Sequence, residues 1–320
     1  MDTAPGAEAL DLEFNEDQRA ICDALARFCG QADAEAHARA SGEPFPRALW
    51  RELAGLGVFA AGAPAYPDAG GVLEICAGSE ALGQNLFPGP VAATFLAAQV
   101  AADPAPIIEG EQLVSLSRAG SNLLPFGTEA DLFLVAGADV RAAAPPDNVE
   151  AVATLGGETW GRAALTPGEA LPGSERGLLV HNISSAAYIA GAALRLLRDT
   201  SEHAATRKQF GHTLGEFQAV THPLADCVIA VTAAQVQARA AACAADGGGE
   251  NAATLAAGAV MSACRAGLAT AFACHQIYGA IGVTLEGPAF HISRRIRQLA
   301  TEACGARERD ILLAGTGLGG

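Results

Sequence analysis

The chain has 320 residues, half of them hydrophobic, which is long enough to bury a core and to form two or three domains. Its formal net charge is −15 at pH 7, so it lacks the basic surface that a nucleic-acid partner requires. The N-terminus has no basic leader with an apolar core, and no uninterrupted lipophilic run reaches about 18 residues. We therefore expect a cytoplasmic globular protein with neither a nucleic-acid nor a membrane partner.

The eight cysteines form no CxxC pair and no neighbouring set of Cys and His ligands. Free cysteines are among the most buried residues, and a reducing compartment keeps them as thiols. We predict free, mostly buried thiols and no metal site.

Residues 1–103 are predicted to form an N-terminal α-helical domain. Asn15 and Gln18 occupy the N-cap and N3 positions of a first amphipathic helix, as in a capping box. A second helix is predicted to begin at Pro46 and to end at Gly55, and two more cover residues 72–82 and 91–100.

Residues 104–181 are predicted to form a shortened β domain, because short apolar runs alternate there with Gly, Pro and Asp clusters. The predicted strands lie within residues 113–116, 132–135, 149–155 and 178–180. Residues 182–320 return to three- and four-residue apolar steps, which predicts long helices in a C-terminal antiparallel bundle. The expected fold is mainly α with a small β domain between two helical domains.

Two segments of the C-terminal half resemble motifs of the acyl-CoA dehydrogenase family. Arg207, Phe210 and Gly211, followed by Gln218, resemble its R-x-x-F-G…Q pattern, and residues 276–282 resemble its Q-x-x-G-G-x-G segment. Residues 50–57 are similar to part of its first domain. The resemblance implies an N-terminal helical domain, a middle β domain that is truncated here, and a C-terminal four-helix bundle.

The resemblance also implies FAD as the cofactor, with its ADP half reached across a subunit interface. Arg207 would contact the diphosphate, since its guanidinium is a forked and permanently charged donor, and Phe210 would contact the adenine half. The implied cofactor-binding residues are Arg207, Gln209, Phe210, Leu214, Gln276, Gly279 and Ala280. Two other interpretations stay open: Arg207 and Lys208 as a solvated charge pair, and the glycine loop as a helix C-cap.

No catalytic base is assigned with the same clarity. Acyl-CoA dehydrogenation needs a carboxylate base and a pocket for the flavin ring. In most members of the family the base lies in a Y-E-G-T-S motif, and the corresponding position here is Ala303, with Glu302 one residue away. In other members the base lies on an earlier helix, and the corresponding position here is His181. His181 and Glu302 are therefore the catalytic candidates. The T-E-P-x-x-G-S-D and W-I-[ST]-N segments of the flavin-ring pocket are missing.

The resemblance is closest to the short subunits of heteromeric bacterial acyl-CoA dehydrogenases that degrade steroids. It implies α,β-desaturation of a bulky, steroid-derived acyl-CoA thioester by an α2β2 heterotetramer with a full-length homologue, and electron-transfer flavoprotein as the acceptor. Two alternatives remain: a structural or regulatory homologue that binds no flavin, and a CoA-thioester enzyme in which His181 moves a proton without net oxidation.

Overall fold

The computed structural model describes residues 12–40, 43–154, 158–303 and 305–316. The helices are α1 (Glu16–Gln31), α2 (Ala34–Arg39), α3 (Arg47–Gly55), α4 (Val72–Gln84), α5 (Val91–Val100), α6 (Ala105–Ile108), α7 (Ser174–Thr206), α8 (Gln218–Asp246), α9 (Ala252–Tyr278), α10 (Pro288–Ala303) and α11 (Ala306–Thr316). The strands are β1 (Val114–Arg118), β2 (Leu123–Leu124), β3 (Leu132–Ala136), β4 (Val140–Ala143), β5 (Glu150–Val152), β6 (Trp160–Arg162), β7 (Pro167–Ala170), β8 (Lys208–Gln209) and β9 (His212–Thr213). Short 3-10 turns occupy Val58–Ala60, Pro67–Ala69, Leu214–Glu216 and Gly279–Val283.

The first helices form as the sequence predicts. The capping box of α1 is present, with the Gln18 amide N–H donating to Asn15 Oδ1 and the Asn15 amide N–H donating to Gln18 Oε1, both at 2.9 Å. α3 follows Pro46 and turns the Trp50 ring into the core, where its centroid lies 4.8 Å from that of Phe59. Burial of such aromatic side chains dominates the stability of a small helical domain.

The β region consists of two short sheets. Strand order is β1-β3-β4-β7 in one, where β1 and β3 are parallel and the other pairs antiparallel, and β2-β6-β5 in the other, which is antiparallel. The predicted strand at 178–180 is wrong, because these residues lie in α7, which begins at Ser174. A short apolar run fits a buried helix as well as a buried strand. The Ser174 hydroxyl accepts from the Val140 amide at 3.0 Å and so ties the start of α7 to β4.

Helices α7, α8, α9 and α10 form the bundle, and α4 packs against α7 along two glycines. A Cβ added at Gly83 would collide with the Tyr188 carbonyl oxygen, and one added at Gly191 would collide with that of Glu80. These two contacts show that the α4 and α7 backbones approach each other more closely than any side chain permits.

A buried ion pair joins α4 to α8. Arg239 Nη2 lies 3.1 Å from both carboxylate oxygens of Glu80, and Gln235 Nε2 donates to Glu80 Oε1 at 2.7 Å. The Arg239 guanidinium also stacks on the Phe14 ring, 4.0 Å from its centroid. The pair connects the N-terminal helices to the bundle.

Three helical segments, α7, α8 and residues 252–283, are long and apolar enough to cross a membrane by length and composition. The share of each apolar window that is buried inside the fold is 83%, 39% and 56%, in that order. α8 is the least covered and exposes Val228 and Ile229.

Within the described part of the chain, Cys22, Cys29, Cys76, Cys227 and Cys274 are free thiols. No group of three or more described His, Cys, Asp or Glu side chains is placed to hold a metal ion.

Candidate functional site

The predicted cofactor residues of the first motif lie on a two-stranded hairpin after α7. β8 and β9 pair Gln209 with His212, which leaves Phe210 and Gly211 as a two-residue turn with φ of 54° and 84°. Positive φ at both central residues is the geometry of a tight hairpin turn, and it costs a residue with a side chain about 1 kcal/mol. Phe210 is nevertheless 91% exposed, and its ring meets that of Phe217 edge to face, with the centroids 6.5 Å apart.

The residues of the second motif lie where α9 ends. Gly279 has φ 62° and ψ −135°, a conformation that residues with side chains rarely adopt, and a Cβ at this position would meet no atom within 4 Å. Gln276 and Ala280 are exposed beside it. The backbone here is open to approach from outside the chain.

A ring stack places the two motifs at the same end of the bundle. His203, one turn before Arg207, packs on Tyr278, with the ring centroids 4.6 Å apart. Arg207 closes the hairpin as its carbonyl oxygen accepts from the Leu214 amide at 2.8 Å. We call the region formed by residues 207–214 and 276–280 the hairpin surface.

The hairpin surface can contact the ADP half of a dinucleotide but cannot enclose it. Arg207, Phe210 and Gly279 offer a cation, an aromatic face and an accessible backbone, and all three are exposed. Exposed apolar side chains continue from this surface along α9 and the following segment: Phe272, Ile281, Val283 and Leu285. The residues therefore fit a ligand that is held mainly by another chain.

The two catalytic candidates line one cavity, far from the hairpin surface along α7. Its volume is about 220 Å³, and its walls come from the start of α5, the end of β1, the first half of α7 and the junction of α10 with α11. His181 and Glu302 are half-buried in these walls, and Ala303 lies beside them. We call it the α10–α11 cavity.

Burial perturbs both candidates in the direction that favours the neutral form. It raises the pKa of Glu302 to about 7, although Arg295 and a hydrogen bond from Gln298 Nε2, 2.8 Å from Glu302 Oε1, act in the opposite sense. Burial lowers the pKa of His181 to about 4, and Glu308 offsets this only in part. A carboxyl group that titrates near neutral pH inside a cavity is a candidate proton-transfer group.

Arg118 is a residue of this cavity that the sequence analysis did not assign. Its Nε and Nη2 donate to the backbone carbonyl oxygen of Glu302 at 3.1 and 2.9 Å, and so fix the end of α10 against β1. An arginine two residues after the predicted strand 113–116 was the available signal in the sequence.

Comparison with known proteins finds a family model that matches part of the chain. Residues 174–316 match the family described as the acyl-CoA dehydrogenase C-terminal domain. These residues, somewhat less than half of the chain, are similar to that domain of the acyl-CoA dehydrogenases. Acyl-CoA dehydrogenase FadE34 of Mycobacterium tuberculosis (strain ATCC 25618 / H37Rv) is 30% identical over 277 residues, which cover 78% of this chain and 39% of the relative. The chain thus spans about two fifths of that curated relative.

Solved structures extend the likeness to the whole fold. A variant of the Tcur3481-Tcur3483 steroid ACAD matches this fold with a TM-score of 0.79 at 23% sequence identity. The matched region covers 95% of this chain and 98% of the chain in that structure. A chain of the ChsE4-ChsE5 complex from Mycobacterium tuberculosis matches with a TM-score of 0.76 at 22% sequence identity. The matched region covers 97% of this chain and 99% of the chain in that structure. The predicted fold class, an acyl-CoA dehydrogenase fold that is mainly α with a small β domain, is confirmed.

Glu302→Gln is expected to stabilise the fold at neutral and higher pH but not in acid. The unfolded chain ionises Glu302 near 4.5 while the folded chain keeps the proton to about 7, so this group lowers stability as pH rises between those values. Above pH 7 the loss levels at about 3 kcal/mol. The variant lacks this loss because an amide does not ionise, while its carbonyl oxygen can still accept the hydrogen bond from Gln298. Urea unfolding at pH 5, 6, 7 and 8 should show a difference that grows with pH. An equal difference at every pH would contradict the raised pKa, and Glu52→Gln, on the exposed side of α3, is the matched control.

Proposed function

We propose that this chain is a subunit of a flavin-dependent acyl-CoA dehydrogenase that contacts the ADP half of FAD across an interface. The observation that carries the proposal is Phe210, which is 91% exposed in a strained backbone conformation next to Arg207. A strained residue whose side chain is almost fully exposed is explained when an external contact holds it there. An adenine ring and its diphosphate supply that contact.

The hairpin surface lacks walls, so a partner must hold most of the cofactor. We propose a full-length acyl-CoA dehydrogenase homologue as this partner, in an α2β2 heterotetramer that is active only as a complex. Support comes from the short β region and from the likeness of this fold to the Tcur3481-Tcur3483 and ChsE4-ChsE5 structures. The exposed apolar residues beside the hairpin surface, Ile281, Val283 and Leu285, are chemically suited to a subunit interface.

The reaction that we propose is α,β-desaturation of an acyl-CoA thioester, with a bulky, steroid-derived acyl group. Bound FAD supplies the hydride acceptor for this oxidation. Arg207 neutralises the diphosphate, the Phe210 ring packs on the adenine half, and the Gly279 backbone admits the ADP moiety. The carboxylate base belongs to the partner, electron-transfer flavoprotein takes the electrons, and the assembly is cytoplasmic.

Arg207→Ala is expected to remove FAD from the assembled complex. The variant loses the fixed cation that faces the diphosphate, and charge-assisted pairs of this kind are worth about 2 kcal/mol or more. The measurement is the flavin absorbance per heterotetramer after co-expression with the full-length homologue and gel filtration. Lys208→Ala is the matched control, because it removes the same charge one residue further along the chain.

Each result decides between the proposal and its rival. Loss of flavin with an intact heterotetramer, together with normal flavin content in Lys208→Ala, supports the cofactor role. Full flavin content in Arg207→Ala would favour the structural or regulatory homologue instead. A yellow, active chain purified without a partner would exclude the shared site.

The α10–α11 cavity favours a second candidate function, a CoA-thioester enzyme of altered chemistry. His181 and Glu302 share this cavity, and a carboxyl group with a pKa near 7 can both accept and donate a proton at neutral pH. The test is exchange of the acyl-CoA α-hydrogen into heavy water by the chain alone. Exchange that is abolished in both His181→Ala and Glu302→Gln, without flavin, would support this candidate, and no exchange would exclude it.

A further inference from the structure

A second cavity, which the proposed function does not use, lies between the first half of α10 and the N-terminal helical domain. Its volume is about 380 Å³, within the range of sites that bind small molecules. Its walls come from α10, from residues within 37–40, 43–46 and 86–89, and from Phe126, Glu158 and Thr159. We call it the arginine cavity, after Arg294 and Arg295.

The two arginines of this cavity are buried, and neither forms an ion pair with a described residue, although the Glu158 and Glu302 carboxylates act on Arg295 from further away. Arg294 is 5% exposed and Arg295 is 6% exposed, and the ion pairs between described residues include neither. Arg295 donates from Nη1 to Gln298 Oε1 at 2.8 Å and from Nη2 to the Gly89 carbonyl at 2.6 Å, whereas its buried Nε has no partner among the described residues. A buried cation with an unpaired N–H group is unfavourable unless an acceptor meets it.

Arg294 adds further donors on the same helix. Its Nη2 donates to the Ala38 carbonyl oxygen at 2.6 Å. A guanidinium group has five N–H donors, so the other donors of Arg294 have no acceptor among the described residues. Burial lowers its pKa, which the Glu158 carboxylate raises again in part, yet a guanidinium stays charged. Two positive charges therefore face the cavity from adjacent positions on α10.

The other walls are mostly apolar, but two carboxylates and two histidines, His37 and His291, also line the cavity. Phe45 and Phe126 lie edge to face with their centroids 5.7 Å apart, and Leu86 lines the same cavity. Glu43 and Glu158 also line it, and two carboxylates repel a dianion more strongly than a monoanion. The walls match a ligand that has one negative charge and a compact apolar body.

We propose that the arginine cavity binds a small carboxylic acid with an aromatic or alicyclic body. One carboxylate oxygen accepts from the Arg295 guanidinium, and the other accepts from the Arg294 guanidinium. The ring packs against Phe45 and Phe126, which line the same side of the cavity as neighbours. Two N–H donors on separate guanidinium groups match the two oxygens of a carboxylate, which distinguishes this ligand from a neutral amide of the same shape.

The test is calorimetric titration of the full chain with benzoate, benzamide and phenyl phosphate. Benzoate is expected to bind at least roughly tenfold more tightly than benzamide, which keeps the ring but loses the charge, and more tightly than the phosphate dianion. Equal affinity for benzoate and benzamide, or no binding of benzoate at millimolar concentration, would overturn the proposal.

Variants on one helix separate the site from a general charge effect. Arg294→Met is expected to weaken benzoate binding roughly tenfold, whereas Arg297→Met, which removes an exposed arginine of the same helix, is expected to leave it unchanged. Glu158→Gln removes the competing carboxylate and is expected to tighten binding several-fold. If Arg294→Met does not fold, Glu158→Gln still tests the proposal. Unchanged or weaker benzoate binding in Glu158→Gln would refute the proposed arrangement of charges.

Discussion

Arg239→Met is expected to lower the free energy of unfolding by about 3 to 5 kcal/mol, because it leaves the Glu80 carboxyl buried without its cation. The guanidinium lies 3.1 Å from both carboxylate oxygens and also covers the Phe14 ring. Burial already raises the pKa of Glu80, and Arg239 is the largest influence that opposes this rise. Urea unfolding at pH 7, followed by circular dichroism, measures the loss.

A second substitution separates the charge effect from lost packing. In the double variant Glu80→Gln and Arg239→Met the buried charge is gone, so we expect about half or more of the lost stability to return. Arg198→Met, at an exposed position of α7, controls for the loss of one surface cation and is expected to change stability by about 0.5 kcal/mol or less. A double variant no more stable than Arg239→Met would mean that packing on Phe14 is the dominant contribution.

Gly191→Ala is expected to destabilise the fold by about 3 kcal/mol, although alanine is the better helix former. The added methyl group would collide with the Glu80 carbonyl oxygen and lie 3.1 Å from the Gln84 amide nitrogen. Both atoms belong to the α4 backbone, which cannot rotate away as a side chain does. The two helices must separate, and the contacts along their whole interface loosen.

The matched control for this prediction is a glycine in the same bundle with free space. A Cβ at Gly258, in α9, would meet only Leu312 Cδ1 at 3.5 Å, which is an ordinary contact. Gly258→Ala should therefore leave stability unchanged or raise it by up to about 1 kcal/mol. Thermal unfolding of both variants gives the comparison, and similar midpoints would mean that α4 and α7 are not in close contact.

Local signals in the sequence predicted most of the helical architecture. The Asn15–Gln18 capping box and the helix after Pro46 depend on neighbouring residues, and both form as expected. The run 178–180 was misassigned because three apolar residues carry no period, and only packing against α5 and the sheet decides that they are helical.

Contacts between distant segments could not be predicted in the same way. The hairpin surface could be located from motifs, and its two parts do lie at one end of the bundle, joined by His203 and Tyr278. The α10–α11 cavity requires Arg118 to reach the Glu302 carbonyl, and the arginine cavity requires α10 to close on the N-terminal domain. Contacts of this kind between distant segments bury Glu302 and thereby raise its pKa. No local sequence pattern predicts this burial.

The unbroken length of α7 sets a distance between the two candidate sites. His181 and Arg207 are 26 residues apart on one continuous helix and its C-cap, which corresponds to roughly 39 Å. An extended flavin dinucleotide is shorter than this separation. A flavin whose adenine half rests on the hairpin surface therefore cannot place its ring in the α10–α11 cavity of the same molecule, and any flavin ring in that cavity must belong to a cofactor whose adenine half lies elsewhere.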